Sequence, residues 1–312
     1  MKILLTGASS FTGYWFAKAL HESGNQVVAA LHNKIDYYST GVRAERVKRL
    51  KHFVEIIDDC KFGEKKFFDL ISSQEFDLLC HHAAYVNDYH NPEFNVIFAV
   101  NENTNNLSNI IAQMIKKGLK GIILTGSIFE PNEGIGTIPM RAFSAYGLSK
   151  GITASIFEFQ CHNAKIPFGK FVIPNPFGPF EEERFCCYLI KTWKAGNTPI
   201  IKTPLYVRDN IHVEYLSIAY AKFINQVINK NSYLKINPSG YIGSQGDFAV
   251  KFSIEMQSRL NIDCKVELGI QNIFNEPHVR INTENIADYI EIYNDSIMWD
   301  NLASYYKEFY LS

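Results

Sequence analysis

A doubly wound α/β fold with a parallel sheet is what the 312-residue sequence predicts, on three observations. Short β-branched or apolar runs alternate with stretches of helical length over the first 125 residues, a glycine-containing loop sits between the first run and the first helix, and the rhythm breaks only at a Pro/Gly cluster after residue 173. Alternation of this kind reads as consecutive βαβ units, whose strands pair in parallel. Past the cluster a smaller C-terminal α/β lobe is expected, woven from several segments rather than strung on a linker. The two parts are then residues 1–174 and 175–312.

Taken in order, the runs KILLTG (2–7), QVVAAL (26–31), HFVEII (52–57), DLLCHHAA (77–84) and GIILTG (121–126) supply five strands. The longest amphipathic stretch predicts one helix from about Phe94 to Lys117, followed by a helix over 145–163 and a strand FGKFVI over 168–173. The composition, 46% hydrophobic and 20% charged, is that of a globular chain able to bury a substantial core. With 31 basic against 32 acidic residues there is no electrostatic case for nucleic acid or a membrane surface as partner. No apolar run approaches the roughly 20 residues of a membrane span, and MKILLTG is too short for a signal peptide, so a cytoplasmic protein is expected. The six cysteines lack Cys-x-x-Cys spacing and mostly sit in apolar segments, which suggests reduced thiols; no metal ligand set is assigned.

The loop TGASSFTG (6–13) leaves the first strand and enters the first helix, where backbone N–H groups and the helix dipole favour a pyrophosphate. Gly7 serves the tight turn and Gly13 the close approach of helix to sheet, while Ser10 replaces the middle glycine of the dinucleotide-binding spacing. Its hydroxyl is itself a candidate phosphate donor. The cofactor-binding set from this loop is Gly7, Ser9, Ser10, Phe11, Thr12 and Gly13. At the end of the second strand an acidic residue would accept from the ribose 2′-OH of NAD, but the sequence reads ALHNK. His32 and Lys34 stand there instead, which favours NADP over NAD.

In SAYGLSKG (144–151), Tyr146 and Lys150 are four residues apart, one turn along the same helix face. An ammonium beside a phenol lowers its pKa from about 10, making it usable as an acid or base near neutrality.

The loop TGASSFTG, the Tyr146/Lys150 pair and the serine of LTGS together resemble the short-chain dehydrogenase/reductase superfamily. More closely, the chain resembles its extended branch, the nucleotide-sugar-modifying NAD-dependent epimerase/dehydratase family, over essentially its whole length. Supporting segments are DLLCHHAA, NENTNNL (101–107), NPFGP (175–179) and RDNIHVEYL (208–216). The resemblance implies a Rossmann sheet with Tyr146 as acid/base, Lys150 lowering its pKa and holding the nicotinamide ribose, and Ser127, or Thr125 beside it, orienting the substrate oxygen. It further implies cofactor contacts from Asp58 or Asp59, Ala83, Ala84, Asn101 and Pro174, and substrate-diphosphate contacts from Asn175, Arg208 and Arg280. Asp209 and His212 are expected to be structural, Arg184 and Lys191 solvated helix charges or pocket residues. A homodimer through the helices following Phe94 and carrying Tyr146 is implied as well.

The expected activity is NADPH-dependent reduction of a 4-keto nucleotide sugar, because the second strand ends without a carboxylate. The alternative is a 4-epimerase that keeps NAD bound. A non-catalytic dinucleotide sensor is the third reading, against which the tuned phenol argues. Dehydration is not expected: Ile128 and Phe129 follow Ser127, and Glu130 is expected to point away from the site.

Overall fold

The computed structural model describes residues 1–311 except 231 and 292. Its main sheet has seven parallel strands: β1 (Lys2–Thr6), β2 (Gln26–Ala30), β3 (Glu55–Ile57), β4 (Leu78–His81), β5 (Gly121–Ser127), then, past the short β6 (Ile135–Gly136), β7 (Phe168–Ile173), and finally β11 (Leu234–Ile236). The spatial order is β11-β7-β5-β4-β1-β2-β3. The chain starts in the middle, winds outward to β3, and crosses back to β4 before winding the other way. The reversal between β1 and β4 opens a crevice at their carboxyl ends, the place where such sheets bind ligands.

These strands are apolar almost throughout because helices cover both faces; all seven residues of β5 are buried. On one face α1 (Phe11–Glu22) and α8 (Val213–Lys230) pack together, with the Phe16 and Tyr220 rings stacked 4.0 Å apart. On the other, α3 (Lys65–Ser73), α5 (Leu107–Lys116) and α6 (Ala145–Asn163) bury Phe67, Ile110 and Phe157. Helix α2 (Gly41–Leu50) leans on α1.

The helix expected from about Phe94 to Lys117 is two helices, α4 (Val96–Thr104) and α5. Asn106 breaks it: its backbone is left-handed at φ 54°, and its amide donates to the Gly63 carbonyl at 2.9 Å. Helix α6 and β7 begin and end where the sequence places them.

The lobe uses β8 (Asn175–Phe177), α7 (Phe185–Lys194), β9 (Ile200–Ile201), β10 (Val207–His212), β12 (Pro238–Ser239), β13 (Tyr241–Ser244), α9 (Gln245–Leu260), β14 (Glu267–Leu268), β15 (Arg280–Ile281), β16 (Glu284–Asn285) and α10 (Asp295–Tyr306). Its core sheet is β13-β10-β8, and β15 pairs with β6. The chain after residue 174 returns to the main sheet through α8 and β11, which pairs with β7. Asp209 is fully buried and accepts from the backbone N–H groups of Gly240 and Asn282, tying β10 to later segments. All six cysteines are buried and unpaired. Among the described residues no helix is long and apolar enough to cross a membrane.

Candidate active site

The phosphate loop is drawn tightly over the switch point. Gly7 has φ 76°, and a Cβ there would stand 2.7 Å from the Ala83 nitrogen; a Cβ on Gly13 would stand 2.1 Å from the Gly7 carbonyl oxygen. Both positions exclude side chains, and Thr6 Oγ1 accepts from the Ala83 N–H at 3.1 Å, so loop and β4 end form one cradle beside the positive end of α1. That cradle fits a dinucleotide pyrophosphate. Arg46 of α2, fully buried, donates to the carbonyls of Ser9 (3.0 Å) and Phe180 (2.6 Å) and pairs with Glu182 (2.6 Å), fastening the loop to the start of the lobe.

Ser10 does not offer its proton outward. Its Oγ donates to the Gly7 carbonyl at 2.8 Å and accepts from the Gly13 N–H at 3.1 Å, capping α1. The single hydroxyl hydrogen is thus committed, which corrects the expectation of a phosphate donor. Behind the loop lies His82, which sequence reasoning passed over between Ala83 and the fourth strand. Its Nε2 is 3.0 Å from both Ser10 Oγ and Thr12 Oγ1, and its Nδ1 is 3.0 Å from Thr125 Oγ1. Burial and the Lys150 charge push its pKa down to about 3.

At the adenosine end His32 and Lys34 are exposed. Asp58, at the end of β3, accepts from the Ile35 N–H at 2.8 Å and contacts Lys66, the backbone hydrogen bond being the chief reason its carboxyl is held below the usual range. A carboxylate therefore does stand beside the second strand's end, delivered from the third. Asp59 is exposed, in left-handed backbone at φ 47°.

The catalytic candidates meet at the carboxyl end of β5. Ser144 caps α6 by accepting from the Gly147 N–H at 3.2 Å, and Gly147 is required there: a Cβ would lie 2.2 Å from the Phe129 carbonyl oxygen. Helix α6 is thereby pressed against the strand end carrying Thr125 and Ser127. Glu130 is fully buried beneath it, accepting from the Ser127 N–H at 2.7 Å and paired with Lys170 at 2.6 Å; Lys170 also meets Glu133 at 2.6 Å.

Lys150 does not share its space with the phenol as the spacing predicts. Its ammonium donates to the Thr125 carbonyl at 2.6 Å, and burial lowers its pKa to about 8 against the pull of Glu130. The Tyr146 phenol is pushed up from its usual value by burial and by Glu130, and the positive charge that lowers it comes from Arg184. The reason is geometric: the Thr125 carbonyl at the end of β5 takes up the buried ammonium. Tyr89 and Phe94 flank the Tyr146 ring at 5.4 and 6.2 Å. Arg184 thus belongs to the Tyr146 surroundings, while Lys191 pairs with Glu183.

Asn101 is exposed on α4 and does not support this site. Asn103, two positions round the helix, is buried; it accepts from the Tyr85 N–H at 2.7 Å and donates to Thr153 of α6 at 3.2 Å. Pro174 is buried at the sheet end, Ala84 is half-buried, and Asn175 donates to the Asp209 carbonyl at 3.3 Å.

Arg208 and Arg280 both lie over the Phe143 ring, at 5.2 and 5.1 Å. Arg208 donates to the carbonyls of Val207, Pro277 and His278 and pairs with Glu276 at 2.9 Å. Arg280, expected on the substrate diphosphate, is fully buried and donates to the Glu133 and Arg141 carbonyls. The β15–β6 pairing turns it inward, so it braces the segment leading to α6. His212 is buried and its pKa lowered to about 3 by burial.

A profile of the NAD dependent epimerase/dehydratase family matches residues 3–237. Among solved structures the chain is similar to a UDP-glucose 4-epimerase from Stenotrophomonas maltophila with bound NAD (TM-score 0.75, 13% identity, 99% of this chain and 98% of that one). It is similar also to a UDP-glucuronic acid 4-epimerase from Bacillus cereus in complex with UDP-glucuronic acid and NAD (0.71, 16%, 99% and 100%) and to a UDP-glucose 4-epimerase from Thermotoga maritima with UDP-glucose (0.71, 16%, 99% and 99%). At such identities the likeness establishes the fold. Among curated proteins none matches the sequence. The chain, an enzyme by its kinship, belongs to the NAD-dependent epimerase/dehydratase family.

Proposed function

We propose that the protein inverts the C4 carbinol of a nucleotide-activated hexose, holding NAD throughout the cycle. The observation that carries this is the close approach of α6, the helix bearing Tyr146 and Lys150, to the end of β5, where Gly147 meets Phe129 and Lys150 reaches the Thr125 carbonyl. The neighbours that supply the sugar-nucleotide class are 4-epimerases, with NAD in two of those described above. NAD is preferred to NADP because two of the similar structures described above hold NAD.

When bound, NAD would supply reversible hydride acceptance and a positive charge. Tyr146 removes the proton of the C4 hydroxyl and later returns it, and the Ser127 hydroxyl orients that oxygen. Lys150, held by the Thr125 carbonyl, would anchor the nicotinamide ribose. Burial and Glu130 raise the Tyr146 phenol pKa, and Arg184 is the positive charge of this chain that favours its ionised form. Asn175 and Arg208 contact the diphosphate, and Arg184 adds positive charge near Tyr146. Glu130 is spent on Ser127 and Lys170, which leaves no carboxylate three residues after Ser127 to remove a C5 proton and speaks against dehydration.

A second reading, NADPH-dependent reduction of a 4-keto sugar, is favoured by the exposed His32 and Lys34. Denaturing the purified protein and identifying the nucleotide released separates the two. Release of NAD is expected; release of NADP, or tight binding of NADPH alone, would favour the reductase.

A further inference from the structure

In a dinucleotide loop the middle glycine keeps side chains out of the path by which the pyrophosphate reaches the backbone. This chain has Ser10 there, and of a serine's three staggered side-chain positions it adopts the one turned inward to the Gly7 carbonyl and the Gly13 N–H. The hydrogen-bond network shows what selects it. Ser10 Oγ gives its one hydrogen to the Gly7 carbonyl (2.8 Å), so towards His82 Nε2 (3.0 Å) it accepts. His82 therefore carries its proton on Nε2, shared between Ser10 and Thr12 Oγ1 (3.0 Å), and its bare Nδ1 accepts from the Thr125 hydroxyl (3.0 Å), a tautomer assigned from the network. The ring is further fixed edge-on to Phe16 of α1, 5.2 Å away. Burial and Lys150 keep it neutral, so this arrangement holds across the working pH range.

We propose that His82 is a positioning residue for the dinucleotide pyrophosphate: it ties the Ser10 hydroxyl inward and so lets a serine occupy the glycine position of the phosphate loop. The same ring links that loop to Thr125, whose carbonyl holds Lys150 at 2.6 Å, so the cofactor cradle and the catalytic strand are set by one side chain. Without His82 the Ser10 hydroxyl keeps only its bonds to the Gly7 carbonyl and the Gly13 N–H, and loses the third restraint that holds it out of the pyrophosphate path. With glycine at position 10 there is nothing to restrain, and His82 loses its importance for affinity. The two residues are therefore coupled in dinucleotide binding, which a general packing role would not produce.

The inference rests on the dinucleotide reading of the site, and a double-mutant cycle tests it. NADH affinity is measured by fluorescence titration for the wild type, His82→Leu, Ser10→Gly and the double variant, with a thermal melt of each. The expected result is a loss of about tenfold or more in His82→Leu, no loss in Ser10→Gly, and less than a twofold difference between Ser10→Gly and the double variant. An equal loss from His82→Leu in both backgrounds, or none in the serine background, would overturn the proposal. Should His82→Leu melt below the assay temperature, His82→Gln serves. Its amide still reaches Ser10, so affinity within about threefold of wild type is expected, and a tenfold loss present equally in the glycine background would overturn the proposal. A wild-type protein that binds neither NADH nor NADPH would instead remove the reading beneath it.

Discussion

Gly147→Ala is the substitution whose effect the structure lets one work out in advance. A Cβ at position 147 would lie 2.2 Å from the Phe129 carbonyl oxygen and 2.8 Å from its carbon, where ordinary contact begins at 3.4 Å. Helix α6 and the end of β5 must therefore part by roughly 1 Å. Two opposing effects bear on stability: alanine gains about 1 kcal/mol of helix propensity, and overpacking costs about 1–3 kcal/mol. The net loss is between about 0 and 2 kcal/mol, which for a chain of this length lowers the melting temperature by less than about 8 °C. Catalysis is far less forgiving, since a displacement of about 1 Å in a reacting group costs on the order of 100-fold. The variant is thus expected to stay folded, to bind NADH with affinity close to wild type, and to lose about 100-fold in kcat. Turnover within threefold of wild type would refute the reasoning that the approach of α6 to Phe129 sets Tyr146 in place.

Other outcomes follow from the same geometry. Tyr146→Phe is expected to cut kcat by about 100-fold or more with cofactor affinity nearly intact, while Lys150→Met weakens both, each read by steady-state kinetics and NADH titration. His81 and His212, both buried with pKa lowered to about 3, stay neutral in the folded protein while their unfolded counterparts take up protons below about 6.5. Their contribution to stability is present above that value and is lost as pH falls towards 3. With His82 acting in the same sense and Glu181, whose carboxyl burial pushes up to about 8, acting in the opposite one, denaturant titrations at pH 7 and 5 are expected to show acid destabilisation, and a gain in stability on acidification would contradict the buried neutral imidazoles. Ile97 and Phe98 on α4 and Leu148 and Phe159 on α6 are exposed on adjacent helices, so a homodimer through this face is expected. Sedimentation should show a dimer that Phe159→Asp dissociates, and a monomeric wild type at micromolar concentration would refute it.

Elements with strong local signals were legible in the sequence, and those set by distant partners were not. Helix α6 and β7 lie where their patterns place them, and the phosphate loop closes on β4 as its glycines require. The break at Asn106 was hidden because the apolar pattern runs on through it, and only contact with Gly63 stabilises the left-handed turn. Asn101 and Asn103 are alike in the sequence; which of them faces α6 is decided by the phase of a helix whose start the pattern blurs. The i,i+4 spacing of Tyr146 and Lys150 holds, but the aim of the ammonium depends on a carbonyl 25 residues away in sequence. Arg280 has the residue type for a diphosphate and is turned inward by strand pairing with β6. His82 carried no local signal, since its partners come from α1 and β5.

The central claim, inversion at C4 by a site that recycles its own NAD, is tested most directly by proton NMR of UDP-glucose, UDP-N-acetylglucosamine and UDP-glucuronic acid incubated with the purified protein and no added cofactor. The account predicts that at least one sugar nucleotide is converted to its C4 epimer until an equilibrium mixture is reached, with no net change in reduced nicotinamide and none of this with Tyr146→Phe. Unchanged sugars, together with stoichiometric NADPH consumption when a 4-keto sugar nucleotide is supplied, would contradict it.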